Sequence, residues 1–438
     1  MELIKNSLET ILDQMPGVKT AQKKFLVVCL TTILLMRGRV NFRNMSRYSD
    51  LSEKTYSRQF RNDFDFNALN KSLICQMTSP QSEKIATIDA SYVPKSGNST
   101  YGLDMFYDSA HKRPTKGLEI SHIGIVDLNQ NTAYTLSVRQ TPHLDEIKAL
   151  FANRSDSNHV ESSDNNANHI ESKSNEQDKK DKKDKEEEIS RVDFYVDHVK
   201  SITDYLPEGV KYLVGDGYYS KVKFVDGIRQ TDLHLISKLR ADANLRYLYD
   251  PKESTGRKRK YDGKVKFNDL SRFHHVGQVD GFDLYTKEVN SVRLKRNIRL
   301  VCLVNQKGKK KSHILLFSTD TKLDALTIYK LYKARFQQEF LFRDGKQSTG
   351  LCDCQARCEE SLDFHFNASL TALNLAKMDA YQSFGYDAET PFSMATQKKV
   401  YFNEHMMDKF GQLLGLELSF IRNHPAYDRL KTHGAIAP

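Results

Sequence analysis

The feature that most constrains the fold is a change of periodicity at Ile85. From there, short segments rich in β-branched and apolar residues predict strands, namely IATIDASYV (85–93), HIGIVDL (122–128) and AYTLSVRQT (133–141). Further strands are predicted within 210–220, 234–240 and 313–318, with helical segments at 189–206 and 221–230 between them. Strands interleaved with helices predict an α/β fold in which a mixed sheet is flanked by helices.

Periodicity and composition divide the 438 residues into five regions. In chain order these are a helical N-terminal region (1–80), the first part of an α/β core (81–240), a basic β-rich insertion (241–312), the second part of the core (313–375) and a helical C-terminal region (376–438). Within the core, the polar tract 154–189 is predicted to be disordered, because it cannot bury enough apolar surface to offset its ordering entropy.

Hydropathy and charge narrow the partners of the chain. The longest apolar run spans 25–36, which is shorter than the ~20 residues a membrane-crossing helix needs, so we expect a buried helix there and no membrane segment. The net charge of +10 favours a polyanionic partner, nucleic acid before an anionic membrane. The six cysteines are too scattered for a disulfide framework, which predicts a reducing cytoplasm.

The N-terminal region contains two short predicted helices within 41–50 and 52–64, and Ser52 can cap the second. Basic side chains decorate this pair: Arg43, Arg47, Lys54, Arg58 and Arg61. The pattern suits a helix-turn-helix that contacts DNA. It also suits an ordinary helical hairpin with a solvated face, because no groove-reading side chain can be identified.

Three acidic residues stand where acidic residues are unusual. Asp89 falls inside an apolar strand, Asp216 falls at the carboxyl end of another, and Glu339 lies on the long helix after the 313–318 strand. Any one of them has an ordinary explanation, such as a salt bridge or a turn cap. Together they suggest carboxylates that converge on divalent cations, for which hard oxygen ligands suit Mg²⁺ or Mn²⁺.

The long helix carries a polar stripe. Thr319, Asp320 or Thr321 is predicted to cap it, with Asp324 completing a capping box. At about 100° per residue, one narrow stripe collects four side chains: Tyr332, Arg335, Glu339 and Lys346. Such a stripe is either a solvated face with ion pairs or a place where Glu339 binds metal while the two cations hold phosphates.

These motifs resemble a known family. Tyr332-x2-Arg335-x3-Glu339-x6-Lys346 is similar to the Y-(2)-R-(3)-E-(6)-K motif of bacterial insertion-sequence transposases of the insertion-sequence-four group. IDASYV and LVGDGYYS resemble the family's two aspartate-bearing strands, and KGLEIS (116–121), QTP (140–142) and CQARCEESLDFHFNASL (354–370) are also typical of it. The resemblance covers roughly 85–375, and the polar tract 154–189 and Cys352 depart from it.

The resemblance implies an RNase H-like catalytic core and a DDE transposase that cuts and pastes DNA. Asp89, Asp216 and Glu339 would be its catalytic triad and would hold two Mg²⁺ ions, which Mn²⁺ can replace. Tyr332, Arg335 and Lys346 would bind DNA phosphates near the cleavage point. The partners implied are double-stranded DNA, as element ends and target, and a second copy of the chain in the synaptic complex. The location implied is the bacterial cytoplasm at the nucleoid.

The family also explains the 241–312 region as a β-rich insertion placed before the helix that carries the glutamate. Its basic loop GRKRK includes Arg257, Lys258, Arg259 and Lys260, which are predicted to touch DNA phosphates or else to be merely solubilising charge. Residues 1–80 and 240–312 together contain the basic surplus of the chain. Two other functions remain open, a non-catalytic DNA-binding relative and a metal-dependent nuclease that does not join DNA.

A cysteine cluster follows the stripe. Cys352, Cys354 and Cys358, with His365 beyond them, offer soft ligands for zinc, but their spacing is not among the usual finger spacings. The alternative is that His365 and Asn367 form hydrogen bonds within the helical packing.

Overall fold

The computed structural model describes residues 1–160, 188–249, 260–305, 312–384 and 392–436. Most of the polar tract 154–189, the loop residues Arg257, Lys258 and Arg259, and the basic run 307–311 lie outside these ranges. At the start of the polar tract, where disorder is predicted, helix continues to Val160.

The strands of the described ranges are β1 Lys84–Pro94, β2 Asp104–Asp108, β3 Arg113–Asp127, β4 Thr132–Gln140, β5 Tyr212–Gly215, β6 His234–Leu239, β7 Leu245–Leu248, β8 Tyr261–Lys264, β9 His274–Val279, β10 Phe282–Ser291, β11 Arg296–Asn305 and β12 Ser312–Ser318. They form one sheet in the order β2-β3-β1-β5-β6-β12-β11-β10-β7-β8, with β4 on β3 and β9 on β10. Parallel pairing joins β1 to β5 and β5 to β6, and the other pairs are antiparallel.

The helices of the same ranges are α1 Glu2–Gln14, α2 Thr20–Leu35, α3 Phe42–Met45, α4 Glu53–Gln59, α5 Phe66–Met77, α6 Leu144–Val160, α7 Arg191–Ser201, α8 Val222–Ile228, α9 Ala325–Ala334, α10 Gln337–Ser348, α11 Glu359–Phe384, α12 Met394–Leu413, α13 Leu418–Arg422 and α14 Tyr427–Lys431. None of these helices is long and apolar enough to cross a membrane. The mixed sheet with helices against it confirms the predicted α/β class and matches an RNase H-like core.

The β-rich insertion extends the core sheet. Strand β12 pairs with β6 on one side and β11 on the other, so β7 to β11 continue the sheet outward from the core. Strand β12 and both of its neighbours bury apolar side chains, including Leu316 on β12, Leu235 on β6 and Val301 on β11, which explains why the sheet does not break at this point.

Two groups of helices cover the two faces of the core. Helices α7 and α8 contact β3 and β6 on one face, and α9, α10 and α11 contact β12, β1, β3 and β4 on the other. The second group is held by a buried amide. Asn374 on α11 donates to the carbonyl of Thr135 and accepts from its N–H, which fixes α11 against β4.

The helix predicted to start near 319–321 starts later. Asp324 is its N-cap and accepts from the Thr327 N–H, so none of Thr319, Asp320 and Thr321 caps it. The helix is also interrupted between α9 and α10, where Gln338 and Glu339 donate to carbonyls three residues earlier. This tighter turn changes the phase of the predicted stripe, because i to i+3 bonding advances by about 120° per residue.

The N-terminal region is helical as predicted. Its apolar run lies in the buried helix α2, and Ser52 caps α4 by accepting from Thr55 N–H. The two short helices α3 and α4 contact each other, and the five basic side chains predicted on them are exposed. Tyr56 is fully buried, so it contributes to packing rather than to an exposed surface.

Candidate active site

Two of the predicted carboxylates lie side by side because their strands are parallel neighbours. In the register of β1 and β5, Ile88 is opposite Gly215, so Asp89 and Asp216 are the next residues on each strand. Asp216 leaves the sheet at once and accepts from the Tyr218 N–H, which caps a short 3-10 turn, Gly217–Tyr219. The two residues therefore lie side by side in the middle of the sheet, at the point where β5 ends.

The third carboxylate approaches from α10, through an arginine. Arg335, at the break before α10, donates to Asp89 over 3.1 Å and to Glu339 over 3.3 Å. Its own side chain is 14% exposed, whereas that of Glu339 is 47% exposed. One guanidinium thus neutralises two of the three predicted carboxylates from a largely buried position.

The electrostatics of Asp89 reflect crowding of negative charge. Burial, together with the nearby charges of Asp216 and Glu339, raises the pKa of Asp89 to about 6, although the Arg335 guanidinium acts to lower it. Burial lowers the pKa of Arg335, but the nearby carboxylates have the larger opposite effect and keep that pKa above its ordinary value. A site that raises the pKa of a carboxyl group in this way is suited to receive a cation.

The predicted metal ligands are not arranged around a common point in the described structure. In the part of the chain that the structure describes, no group of three or more His, Cys, Asp or Glu side chains is arranged to hold a metal ion. The reason is visible at Arg335, whose guanidinium lies between Asp89 and Glu339 and binds both. The donor set remains the hard oxygen set that Mg²⁺ prefers, and a cation that took both oxygens would replace the guanidinium.

The other two members of the stripe lie differently. Tyr332 on α9 is partly buried, and the Arg335 guanidinium carbon lies 5.9 Å from its ring centroid. Lys346 stays on α10, which runs to Ser348 through Gly345, and its side chain is exposed. It has no ion pair with any described residue, so it is free to meet an external anion.

Helix α10 is fixed against the sheet by a buried polar pair that the sequence did not reveal. Gln338 is fully buried, and its amide donates to the His122 carbonyl and lies 2.8 Å from His122 Nδ1. His122 is opposite Asp89 in the β1–β3 register, so this contact also sets the height of Glu339 above Asp89. In the sequence, this contact is marked only by a glutamine directly before Glu339 and a histidine within the 122–128 strand.

A buried tyrosine beside the two aspartates was also missed. The Tyr219 hydroxyl has no hydrogen-bond partner among the described residues, and its ring packs against Tyr195 and Phe224. Burial raises the pKa of Tyr219 well above its ordinary value, and the charge of Asp89 adds to the shift. The hydroxyl stays protonated and can donate a hydrogen bond at this edge of the site.

Of the four basic residues predicted in the 257–260 loop, only Lys260 lies in the described part of the chain. Lys260 is exposed, and its ammonium lies 5.6 Å from the ring centroid of Tyr261 at the start of β8. The zinc alternative finds no support within the described ranges, where all six cysteines are free and no metal-ligand group occurs. His365 instead lies 2.8 Å from the Gly350 carbonyl, and Asn367 donates to Val138, as the packing alternative predicts.

Comparison with protein families gives two matches. The family model described as DDE superfamily endonuclease matches residues 12–279, and that described as transposase DDE domain matches residues 192–375. The first covers Asp89 and Asp216, and the second covers Asp216 and Glu339. No curated protein matches the chain.

Proposed function

Because the chain belongs to the DDE superfamily of endonucleases, we propose that it is a transposase in which Asp89, Asp216 and Glu339 are the catalytic carboxylates. The observation that supports the proposal is that Asp89 and Asp216 are neighbours across the parallel strands β1 and β5, and that one guanidinium joins Asp89 to Glu339 of α10. We further propose that it belongs to the insertion-sequence-four group and moves DNA by cutting and pasting.

The three carboxylates would hold the divalent cations, two Mg²⁺ ions or Mn²⁺ in their place. When bound, such ions supply Lewis acidity for attack on a phosphodiester. Arg335 would leave Asp89 and Glu339 as cations arrive, and it would then be released to bind a DNA phosphate. A guanidinium suits this exchange, because it stays charged and binds carboxylate or phosphate in the same forked geometry.

The residues around the triad would hold the DNA. Lys346 is exposed on the same helix as Glu339 and has its charge available for a phosphate. Tyr332 would support the guanidinium of Arg335 from its ring side. Gln338 would keep α10 at a fixed height, which matters because a small misplacement of a catalytic group costs a large part of the rate.

Regions outside the core would bind DNA away from the chemistry. We assign this role to residues 1–80, with their exposed basic helices α3 and α4, and to the basic insertion 241–312. Two copies of the chain would bring two element ends together in the cytoplasm of a bacterium.

A strand-transfer assay tests this function. Duplexes made from the DNA that flanks the gene, pre-cleaved to expose the 3′-hydroxyl, are incubated with Mg²⁺ and a target plasmid. The wild-type chain should join them, and Asp89→Asn, Asp216→Asn and Glu339→Gln should each lose joining, whereas Asp280→Asn, which removes an exposed carboxylate paired with Lys333, should keep it. If all three site variants kept wild-type joining, the assignment would be wrong.

The same assay separates the other two functions. A nuclease that does not join would nick the uncut flanking duplex and leave pre-cleaved ends unjoined. A non-catalytic relative would bind the duplex and leave it intact with either Mg²⁺ or Mn²⁺.

A further inference from the structure

We propose that the β2–β3 arm, residues 104–117, is a docking surface for duplex DNA that continues the face of the sheet carrying Asp89. The inference rests on the proposed function and adds to it a DNA contact in a part of the core where the sequence predicted no DNA-binding residue. It follows from strand register, exposure and charge in the arm.

The register places the arm on the catalytic face. Asp89 is opposite His122 on β3, and side chains two residues apart on a strand share a face, so Lys116 and Pro114 point to the same side as Asp89. On β2, Met105 is opposite Lys116 and Tyr107 is opposite Pro114, so these two residues point the same way. The arm and Asp89 therefore lie on the same side of the sheet, with the buried side chains of Leu118 and Ile120 between them.

This face of the arm is exposed and apolar with basic edges. Met105 is 51% exposed and Tyr107 is 63% exposed, although each lies within a regular strand. Pro114 and Lys116 beside them are exposed, and Lys112 and Arg113 are exposed at the tip. Strand β2 forms the end of the sheet order, so the arm has an open edge as well.

The opposite face of the arm is firmly braced. The Arg191 guanidinium donates to Asp104 over 2.6 Å, and its central carbon lies 4.6 Å from the ring centroid of Phe106. Phe106 is 2% exposed, in contrast to the residues on either side of it. The exposed apolar residues are thus held on a rigid ribbon rather than on a mobile loop.

The charges of the arm favour duplex DNA as the molecule that binds there. The two carboxylates of β2 lie on the braced side and have partners there, Asp104 in an ion pair with Arg191 and Asp108 in a hydrogen bond with His111 at 2.6 Å. The exposed side is left with only cationic and apolar groups, which suits a polyanion and opposes a second copy of the same cationic face. A two-stranded ribbon also fits a DNA groove, where apolar side chains contact bases and cations contact phosphates.

The distance along the strand sets the expected position on DNA. Lys116 is six residues and Pro114 eight residues from His122 on β3, which corresponds to about 20 to 27 Å at about 3.4 Å per residue. At about 3.4 Å per base step, Lys116 and Pro114 correspond to positions about six and eight base pairs from a phosphate bound at Asp89.

Photocrosslinking on the full-length chain tests the occupant directly. The probe is a 40-base-pair duplex of arbitrary sequence, and p-benzoylphenylalanine replaces Tyr107. We expect a crosslink to DNA, and we expect none from the same group in place of Phe420, which is 70% exposed at the far C-terminal region. A crosslink to a second copy of the protein, or none to DNA, would overturn the inference.

Salt-dependent binding gives an independent measurement. Arg113→Ala combined with Lys116→Ala should lower the slope of log affinity against log salt by about 1.8, since each lost phosphate contact removes ~0.9. Met105→Thr combined with Tyr107→Thr keeps residues that favour strands, and it should weaken binding about tenfold with little change in that slope. Thermal unfolding of each variant shows that the arm remains folded, and wild-type slope and affinity in both would overturn the inference.

Failure of the arm and failure of the proposed function are distinguishable. If the wild-type chain cleaves and joins DNA while the arm variants bind like wild type, only the arm assignment is wrong. If the wild-type chain neither binds nor cleaves the duplex, both proposals are wrong.

Discussion

Replacing Arg335 with glutamine should increase the affinity of the site for Mg²⁺ even though it removes a residue proposed to hold DNA. Arg335 pairs with Asp89 at 3.1 Å and with Glu339 at 3.3 Å, so a cation that binds both carboxylates must displace it. Glutamine removes the charge and keeps a polar side chain. The variant therefore presents the same oxygens without the competing guanidinium.

The size of the effect follows from the ion pairs. A hydrogen bond to a charged group contributes about 1.5 to 3 kcal/mol, and a gain of this size raises affinity roughly 10- to 100-fold. Protonation of Asp89 opposes this gain in Mg²⁺ affinity. Because an adjacent cation lowers the pKa of a carboxyl group, loss of Arg335 should raise the pKa of Asp89 further above its value of about 6.

The sign of the pH dependence is therefore fixed. Metal binds the ionised carboxylate, so the gain in affinity should be full above the raised Asp89 pKa and should shrink as the pH falls through it. Calorimetric titration of Mg²⁺ into the protein at pH 6.5 and pH 9 measures both limits. We expect the ratio of variant to wild-type affinity to be clearly larger at pH 9 than at pH 6.5.

Lys333→Gln is the matched control. It removes one positive charge from the same helical segment, but its partner is Asp280, at 2.6 Å and away from the three carboxylates. It should leave Mg²⁺ affinity within about twofold of wild type, because exposed ion pairs contribute little. If Arg335→Gln bound Mg²⁺ no better than wild type at pH 9, the proposed competition between guanidinium and metal would be refuted.

Three further substitutions test the packing around the site by thermal or denaturant unfolding. Gly227→Ala should lower the free energy of unfolding by about 1 to 3 kcal/mol, because the added Cβ would lie 2.4 and 2.7 Å from the two methyl carbons of Val196, whose side chain has little rotamer freedom. An unchanged unfolding midpoint would contradict this. Asn374→Ala should lower the free energy of unfolding by roughly 2 to 5 kcal/mol, because it removes the amide that pairs with the buried N–H and carbonyl of Thr135. A decrease below 1 kcal/mol would show that water replaces the amide. Burial raises the pKa of Asp363 from 3.8 to about 7, so the folded state loses stability as the pH rises between those values. Asp363→Asn should therefore raise the melting temperature at pH 8 but not at pH 4. Equal shifts of the melting temperature at both pH values would refute this pKa.

The sequence predicted the fold class because the relevant signals are local. Segment 85–93 is rich in β-branched and apolar residues, and segment 234–240 contains three large aliphatic residues; they appear as β1 and β6 with bounds shifted by one residue. The start of the long helix was placed too early, since Asp324 outcompetes the threonines before it as the N-cap. Composition also predicted disorder from 154 onward, whereas α6 runs to Val160.

The relative positions of the site residues were partly predictable. An acidic residue inside an apolar strand, such as Asp89, already marks an unusual environment. The ion pairs of Arg335 with Asp89 and Glu339 were not predictable, because they depend on the break between α9 and α10 and on the distance between that turn and β1. The exposed arm face was missed as well, since residues such as Tyr107 look like core residues until the sheet order makes β2 an edge.

The central claim is that these carboxylates bind the metal that cleaves DNA, and a change of ligand at Asp216 tests it most directly. A thiolate is a softer ligand than a carboxylate, so Asp216→Cys should bind Mn²⁺ better than Mg²⁺. With a plasmid carrying the DNA that flanks the gene, the account predicts that Asp216→Cys loses cleavage in Mg²⁺ and regains it in Mn²⁺. Cleavage at the wild-type rate by Asp216→Cys in Mg²⁺ would contradict the account.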